Sequence, residues 1–239
     1  MSGPSEQRDL TQSCLSALGC YRTLRRGVGV IRRACSMLPQ LPHIVKILIF
    51  NGLHRSDYGR WCNPDNLEHR WDSRTKQLAQ LIPKDSRVIE FGAGRRQLEL
   101  YLDASCAYVP SDLIDRGPGT VVCDLNRRPL PDLRHLQPDV AVFSGVLEFI
   151  SDLPSLLRWL STQVSFCVTS YLSAQSRPGT IRRREEVLLR ANTGFMNTYT
   201  EEEFVAVFRH SGFILIREED SWESQRLFVF CKSTEGAGS

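Results

Sequence analysis

The chain has 239 residues, of which 41% are apolar and 24% are charged, and its net charge is +3. This length suits one large α/β domain or one domain with an appendage, and the composition is ordinary for a globular protein. The apolar run Ile47–Phe50 is far too short to span a membrane, and the polar start, with Glu6 and Asp9, is unlike a secretory signal. The eight cysteines form no C-x-x-C pair. We therefore expect a cytoplasmic protein without a metal site.

The charge is distributed unevenly along the chain. Up to Arg60 there are nine Lys or Arg residues and three Asp or Glu residues, a net charge of +6, so the remainder carries −3. From Leu10 to Leu38, apolar residues recur at steps of three and four with arginines between them, which predicts an amphipathic helix interrupted near Gly27 and Gly29. We therefore expect residues 1–60 to form a basic helical arm. This arm either packs on the main domain or makes peripheral contact with an anionic membrane.

The next predicted helix extends from Asn63, which can cap it, to Leu81, and Pro83 ends it. Trp71 and Arg74 are one turn apart on this helix. They either face a ligand site or serve as a core aromatic residue and a surface cation.

A glycine turn follows the first predicted strand, which begins at Arg87 and ends in the acidic residue Glu90. The strand carries Glu90, and Gly92 and Gly94 follow it before a helix predicted from Arg95 to Asp103. Glycines in such a turn let the main chain approach a ligand, and the free N–H groups of the following helix favour an anionic or polar group. Gln97 stands where the nicotinamide fingerprint needs a glycine, so the turn either serves another nucleotide or is purely structural.

Carboxylates also end the next two predicted strands. The strand Ala107–Ser111 ends at Asp112, 22 residues after Glu90, and the strand Thr120–Cys123 ends at Asp124. A carboxylate at the end of the second strand can accept hydrogen bonds from two ribose hydroxyls. The spacing therefore predicts a nucleoside-binding α/β sheet.

The fourth predicted strand, Val140–Phe143, introduces a stretch with a distinctive pattern. The segment Val146–Ile150 reads V-L-E-F-I, and Asp152-Leu153-Pro154 starts a helix that extends to Thr162. With E-x-G-x-G at Glu90 and the acid after the third strand, this order resembles that of class I S-adenosylmethionine-dependent methyltransferases. The resemblance covers roughly residues 71–170.

The resemblance implies a doubly wound, mostly parallel seven-stranded sheet with an antiparallel last strand, and S-adenosyl-L-methionine as cofactor. It also implies a cofactor site in which Asp112 binds the ribose, Asp124 contacts the adenine amino group, Leu125 packs on the ring and Arg74 binds the methionine carboxylate. The full set of implied cofactor residues is Arg74, Glu90, Gly92, Ala93, Gly94, Asp112, Leu113, Asp124, Leu125, Ser144 and Gly145.

Two positions depart from the family pattern. Arg96 replaces the last glycine of motif I, and Phe149 replaces a frequent histidine that serves some members as a base or substrate contact. Glu148 and Tyr171 remain as catalytic candidates. Tyr171 follows the fifth predicted strand, Val164–Thr169, and either faces the acceptor or packs in the core.

The segment Ser173–Asn197 is too long for a plain strand–helix loop and is predicted to form a lid helix over the site. Arg182, Arg183, Arg184 and Arg190 make it basic, and Arg182 and Arg183 are the substrate-binding candidates. After it, Thr200 and Glu203 predict a capping box. Phe213–Ile216 and Arg226–Cys231 predict the closing antiparallel pair. The predicted domain is thus 61–232 with the insertion 173–197, and 233–239 is a tail.

These patterns favour an enzyme that transfers a methyl group from S-adenosylmethionine to a small or medium acceptor. The basic arm and insertion favour an anionic or glycan-related acceptor. Arg96 and Phe149 leave open a binding or scaffold protein that has lost catalysis, and the arm leaves open an RNA methyltransferase. The few aromatic residues among the basic ones disfavour a nucleic-acid partner.

Overall fold

The computed structural model describes residues 38–221 and 225–233. Contacts divide the chain into two units, Met1–His43 and Ile44–Ser239, whereas the sequence places the domain boundary at residue 60. Of the first unit, the described part is a 3-10 turn, Leu38–Gln40, and the first residues of a helix. The amphipathic helix predicted from Leu10 lies outside the described residues except for Leu38, and so does the predicted tail except for Ser233.

The described helices and strands alternate along the second unit. The α-helices are α1 (Leu41–Gly52), α2 (Tyr58–Trp61), α3 (Asp72–Ala79), α4 (Gln97–Tyr101), α5 (Leu153–Leu160), α6 (Ile181–Asn192) and α7 (Glu201–His210). The strands are β1 (Arg87–Phe91), β2 (Ala107–Asp112), β3 (Val121–Val122), β4 (Val140–Phe143), β5 (Phe166–Tyr171), β6 (Phe213–Asp220) and β7 (Arg226–Lys232).

These strands form one seven-stranded sheet in the order β3-β2-β1-β4-β5-β7-β6. The first five strands in this order pair in parallel, and β7 is antiparallel to both β5 and β6. Glu90 of β1 lies beside Val142 of β4 in this register. The predicted doubly wound sheet with an antiparallel last strand is confirmed. All carboxyl ends of the parallel strands therefore meet at one edge, which we call the carboxyl edge.

Apolar residues cover both faces of the sheet. Ile89 and Phe91 of β1 belong to a buried cluster with residues of α5 and α7, and Val88 belongs to a second cluster with residues of α3 and α4. Successive side chains of a strand point to opposite faces, so one short strand serves both clusters. The core therefore holds β1 and β4 rigidly, and with them the loops at the carboxyl edge.

The single helix predicted from Asn63 to Leu81 is wrong. The chain forms two 3-10 turns, Pro64–Asn66 and His69–Trp71, before α3 begins. Asn63 caps the first turn, because its Oδ1 accepts a hydrogen bond from the backbone N–H of Asp65 at 3.0 Å. Leu67 then takes a non-helical conformation (φ −97°, ψ 87°) and packs on Gly94, where a β-carbon would lie 3.5 Å from the leucine Cδ2. That distant contact outweighs the local helical pattern.

Other element boundaries shift by a few residues. The helix predicted from Arg95 to Asp103 is shorter because Arg96 is left-handed (φ 57°), so α4 begins at Gln97. The fifth strand begins at Phe166 and extends to Tyr171, and β6 continues to Asp220. The capping box at Thr200 and Glu203 is confirmed. Among the residues that the structure describes, no helix combines the length and apolar character needed to cross a bilayer.

Candidate active site

The loop after β1 makes a tight backbone cradle at the carboxyl edge. Gly92, Gly94 and Arg96 all adopt positive φ, at 69°, 51° and 57°. A β-carbon on Gly92 would lie 2.5 Å from a methyl group of Val146, so only glycine fits there. The buried Ala93 ties the loop to β2, because its N–H donates to the carbonyl of Ser111 at 3.0 Å. The positive φ at every second residue explains the repeated glycines of the methyltransferase motif that this loop resembles. Arg96 adopts a left-handed conformation that is unfavourable for a residue with a β-carbon.

Asp112, at the end of β2, lies within hydrogen-bonding distance of this cradle. Its Oδ2 accepts a hydrogen bond from the N–H of Gly94 at 2.8 Å. Its Oδ1 lies 3.3 Å from Nε of Arg116, and both side chains are less than 10% exposed. Leu113 follows and is half-buried. The carboxylate predicted to hold a ribose is therefore at the carboxyl edge, and a buried cation faces it.

Asp124, after β3, has one occupied and one unoccupied oxygen. Its Oδ1 accepts hydrogen bonds from Oγ of Ser56 at 2.6 Å and from the N–H of Asn126 at 3.0 Å. Its Oδ2 is buried and makes no hydrogen bond of good geometry with a described residue, although the hydroxyl of Tyr58 lies near enough for burial and Asp124 together to raise the pKa of that tyrosine. The adjacent Leu125 is buried in the core cluster. A buried carboxylate oxygen without a donor is costly, so this site suits a ligand that brings an N–H group.

Arg74 of α3 lies at the carboxyl edge, beside the loop that follows β4. Its Nη2 donates to the carbonyl of Ser144 at 3.0 Å, and its Nε lies 3.2 Å from Ser144 Oγ. A β-carbon on Gly145 would lie 2.6 Å from Nη1 of Arg74, so glycine is what allows this contact. Burial lowers the pKa of Arg74, while Glu148 and Glu90 act in the opposite direction. The structure thus brings Arg74, Ser144 and Gly145 together, as the resemblance implies.

Glu90 of β1 is buried below this edge. It is 2% exposed, and Oη of Tyr108 donates to its Oε2 at 2.6 Å. Burial raises its pKa to about 8, with Asp112 adding a smaller contribution in the same direction. A carboxyl group with such a pKa is mostly protonated at neutral pH.

The segment Ser56–Arg74, which we call the cover segment, makes contacts along the carboxyl edge. Ser56 binds Asp124, the carbonyl of Trp61 accepts from Nη2 of Arg116 at 2.7 Å, and Leu67 packs on Gly94. Arg74, the last residue of the segment, donates to the carbonyl of Ser144. Sequence reasoning missed Ser56, Trp61 and Arg116 as site residues, because their partners are distant in the chain.

The comparisons with known proteins agree with this geometry. A family model described as a methyltransferase domain matches residues 65–218. The chain belongs to the methyltransferase family. No curated protein sequence matches it significantly.

Three solved structures illustrate the likeness. A Nostoc punctiforme protein assigned as an O-methyltransferase has a TM-score of 0.56 and 14% identity over 82% of this chain and 70% of its own. Human N-acetylserotonin methyltransferase, solved in complex with S-adenosylmethionine, has a TM-score of 0.55 and 15% identity over 77% of this chain and 59% of its own. Mitomycin 7-O-methyltransferase has a TM-score of 0.53 and 17% identity over 71% of this chain and 56% of its own. The chain thus spans little more than half of the last two proteins, and at these identities the likeness concerns the fold.

The two catalytic candidates lie in the interior of the protein. Glu148 is 1% exposed, its Oε1 accepts from the N–H of Leu172 at 2.8 Å, and burial raises its pKa. Tyr171 is fully buried, and its ring stacks on Phe204 at 4.1 Å. Its Oη donates to Oδ1 of Asn197 at 2.6 Å and accepts from the N–H of Tyr199 at 3.1 Å. The structure therefore corrects the placement of Tyr171 at the acceptor, because its hydroxyl is fully engaged in the core.

The arginines of α6 fall into two groups. Arg183 pairs with Glu203 at 2.7 Å and donates to the carbonyls of Ser176 and Thr198. Arg190 is 7% exposed and donates to the carbonyls of Leu172 and Asn197. Arg182 and Arg184 are exposed. Arg183 is thus held within the fold and is not free to bind an acceptor, which corrects its predicted role.

An open cleft lies between the cover segment and the end of the insertion. It has about 250 Å³ of empty space and is lined by Ile47, Ser56, Asp57, Arg60, Trp61, Phe149, Gly194 and Met196. The rings of Trp61 and Phe195 pack edge-on against Phe149, at 4.8 and 5.2 Å. The guanidinium of Arg60 lies 4.5 Å from the Trp61 ring centre and 5.6 Å from that of Phe149. The residue that replaces the family's histidine is therefore a wall of an aromatic, cationic cleft.

Proposed function

We propose that the protein transfers a methyl group from S-adenosylmethionine to a small or medium acceptor. The proposal rests on one observation. Residues at the ends of four successive strands lie at the carboxyl edge, and the cover segment contacts this edge along its length. The glycine cradle follows β1, Asp112 ends β2, Asp124 follows β3, and Ser144 and Gly145 follow β4. Ligands of open α/β sheets bind at this edge.

Each part of the cofactor has a proposed partner here. The unpaired Oδ2 of Asp124 suits the adenine amino group, with Leu125 and Leu113 as apolar neighbours. Asp112 suits the ribose hydroxyls, and Arg74 suits the methionine carboxylate beside Gly145. The loop Gly92–Ala93–Gly94 lets the backbone approach the chain between them.

Two contacts would change when the cofactor enters. Arg116 faces Asp112, and Ser56 occupies the other oxygen of Asp124. Both residues are tied to the cover segment, Ser56 by position and Arg116 through the carbonyl of Trp61. Cofactor binding and movement of the cover segment are therefore expected to be coupled.

When bound, the sulfonium group of the cofactor supplies a methyl group that is already reactive toward a nucleophile. The protein's contribution is to position the acceptor and to exclude water. The cover segment shields the carboxyl edge, and the aromatic rings of Trp61, Phe149 and Phe195 provide an apolar wall. The interior positions of Glu148 and Tyr171 support assigning them to the framework.

We propose the cleft at Phe149 as the acceptor site. Its lining combines the aromatic rings of Trp61 and Phe149 with the cation of Arg60. Arg60 lies on aromatic faces and donates to the carbonyl of Thr193 at 2.6 Å, which keeps its cation at the cleft. An acceptor with an anionic group, including a phosphorylated or glycan-related one, fits this combination.

Calorimetry on the full chain tests the cofactor assignment. We expect binding of S-adenosylmethionine and of its demethylated product, and no comparable binding of NAD. Tight NAD binding without binding of either S-adenosyl ligand would overturn the proposal. A panel of phosphorylated and glycan-related hydroxy compounds, assayed for the demethylated product, then tests turnover.

A further inference from the structure

Arg74 is a buried cation whose hydrogen-bond acceptors are all neutral. It is 6% exposed, and its Nε and Nη2 donate to Oγ and to the carbonyl of Ser144, at 3.2 and 3.0 Å. Its Nη1 donates to Oε1 of Gln225 at 3.0 Å. No described carboxylate forms an ion pair with it, and Glu90 and Glu148 act on its pKa only from a distance. A buried guanidinium without an anionic partner is costly, so this place suits an anion that enters from outside.

The guanidinium of Arg74 keeps donors for such an anion. A guanidinium has five N–H groups, and here Nε uses its single one while Nη1 and Nη2 each use one of their two. One N–H group therefore remains on each of Nη1 and Nη2, which together can bind both oxygens of a carboxylate. A β-carbon on Gly145 would lie 2.6–2.8 Å from Nη1, Cζ and Nη2, so a face of the guanidinium lies against this glycine. Ser144, Gly145 and Gln225 thus set the direction in which the two remaining donors point.

Gln225 reaches this guanidinium from the connection between β6 and β7, 151 residues further along the chain. It is half-buried, and its carbonyl accepts a hydrogen bond from the N–H of Ser221 at 2.9 Å. Oγ of Ser221 in turn donates to Oε1 of Gln77, on the turn of α3 that follows Arg74, at 2.5 Å. Gln225 and Ser221 therefore both tie the connection to α3, but of the two only Gln225 contacts the guanidinium.

We propose that Gln225 is a positioning residue, which holds the guanidinium of Arg74 in the orientation that binds the carboxylate of the cofactor's methionine part. The inference rests on the proposed function, in which Arg74 binds that carboxylate. Without Gln225, the guanidinium loses one of its three hydrogen bonds, and the end of the side chain gains conformational freedom that the ligand must remove when it binds. The effect is confined to ligands that carry the carboxylate, because Gln225 acts through Arg74 alone.

Calorimetry with two ligands that share the adenosine part tests this role. S-adenosylhomocysteine, the demethylated product, carries the carboxylate, whereas 5′-methylthioadenosine lacks it. Gln225→Ala should weaken binding of S-adenosylhomocysteine by about tenfold and leave binding of 5′-methylthioadenosine unchanged, since one hydrogen bond to a charged group is lost. Gln225→Glu should weaken binding of S-adenosylhomocysteine further, because its carboxylate pairs with Arg74 and competes with that of the ligand.

The matched control is Gln77→Ala, which removes the neighbouring hydrogen bond between the same connection and α3. This variant should bind both ligands as wild type does. Unchanged or tighter binding of S-adenosylhomocysteine by Gln225→Ala, an equal loss for both ligands, or an equal loss in Gln77→Ala would each overturn the positioning role and leave the proposed function standing. Wild-type protein that binds neither ligand would overturn the proposed function and this inference with it.

Discussion

The carboxyl edge and the insertion after β5 differ in how their charged residues are used. At the carboxyl edge, Asp112 and Asp124 lie where their positions at strand ends predict, and Asp112 accepts a hydrogen bond from Gly94 of the glycine cradle. On α6 of the insertion, four arginines look alike in sequence, yet two are anchored in the fold and two are exposed. A residue at a strand end is placed by the sheet, whereas a residue on a surface helix is placed by partners that the local sequence does not reveal.

The largest effect is expected when the pair at the carboxyl edge is broken. Asp112→Ala leaves Arg116 buried without its carboxylate and the N–H of Gly94 without its acceptor. We expect a loss of about 3–5 kcal/mol in the free energy of unfolding, measured by urea denaturation. Affinity for S-adenosylmethionine should also fall by about 1.5–3 kcal/mol, measured by calorimetry.

The matched control is Asp115→Ala, three residues further along the chain. Asp115 is exposed and accepts a hydrogen bond from the N–H of Gly117 at 2.8 Å. Its loss should cost about 1 kcal/mol or less. If Asp112→Ala proves too unstable to purify, Asp112→Asn keeps the shape and tests the charge alone. Equal stability of the Asp112 and Asp115 variants would show that the buried pair does not hold the carboxyl edge.

The pKa of Glu90 predicts how stability depends on pH. Burial raises this pKa from 4.5 to about 8 in the folded state, so the folded protein binds a proton that the unfolded chain releases. The stability that Glu90 contributes is therefore complete below pH 4.5 and is lost as the pH rises toward 8. Glu90→Gln resembles the protonated side chain and cannot titrate. From pH 5 to pH 8 the wild type should lose roughly 3 kcal/mol relative to this variant.

Denaturation of both proteins at each pH checks this expectation, because all other groups titrate in both and cancel in the difference. Parallel stability profiles for wild type and Glu90→Gln would mean that Glu90 ionises normally. In that case its environment at the carboxyl edge is more polar than the burial and the Tyr108 contact indicate.

In the insertion, the neighbouring Arg183 and Arg182 allow the stability contribution of an anchored cation to be compared with that of an exposed one. Arg183→Ala removes the ion pair with Glu203, which also caps α7 at Thr200, and two hydrogen bonds to carbonyls. We expect a loss of about 1–3 kcal/mol in unfolding free energy. Arg182→Ala should change it by less than about 0.5 kcal/mol, because that side chain is exposed. Both variants should bind S-adenosylmethionine as wild type does. Reversed stabilities would restore Arg183 as a candidate for acceptor binding.

The sequence predicts residues that the sheet places better than residues that distant partners place. The strand Val140–Phe143 is predicted to the residue, since an apolar run between polar segments has one placement in a buried sheet. The stretch from Asn63 to Leu81 misled prediction because Leu67 leaves the helix to pack on Gly94. Ser56 and Arg116 carry no local signal as site residues, since their contacts with Asp124 and Trp61 join positions more than 50 residues apart.

The smallest expected effect concerns Arg96, where the chain departs from the family's glycine. Its φ of 57° is unfavourable for any residue with a β-carbon, but its side chain pairs with Glu99 at 3.0 Å and donates to the carbonyl of Pro118 at 3.0 Å. Arg96→Ala loses these contacts and keeps the unfavourable angle, whereas Arg96→Gly loses the same contacts and relieves it. We expect the glycine variant to be more stable than the alanine variant by about 1 kcal/mol, measured by thermal or urea denaturation. Both should retain cofactor affinity, because the neighbouring Gly94 keeps its hydrogen bond to Asp112. An alanine variant as stable as the glycine variant would show that the loop relaxes away from the left-handed angle, and the cradle would then owe its shape to Gly92 and Gly94 alone.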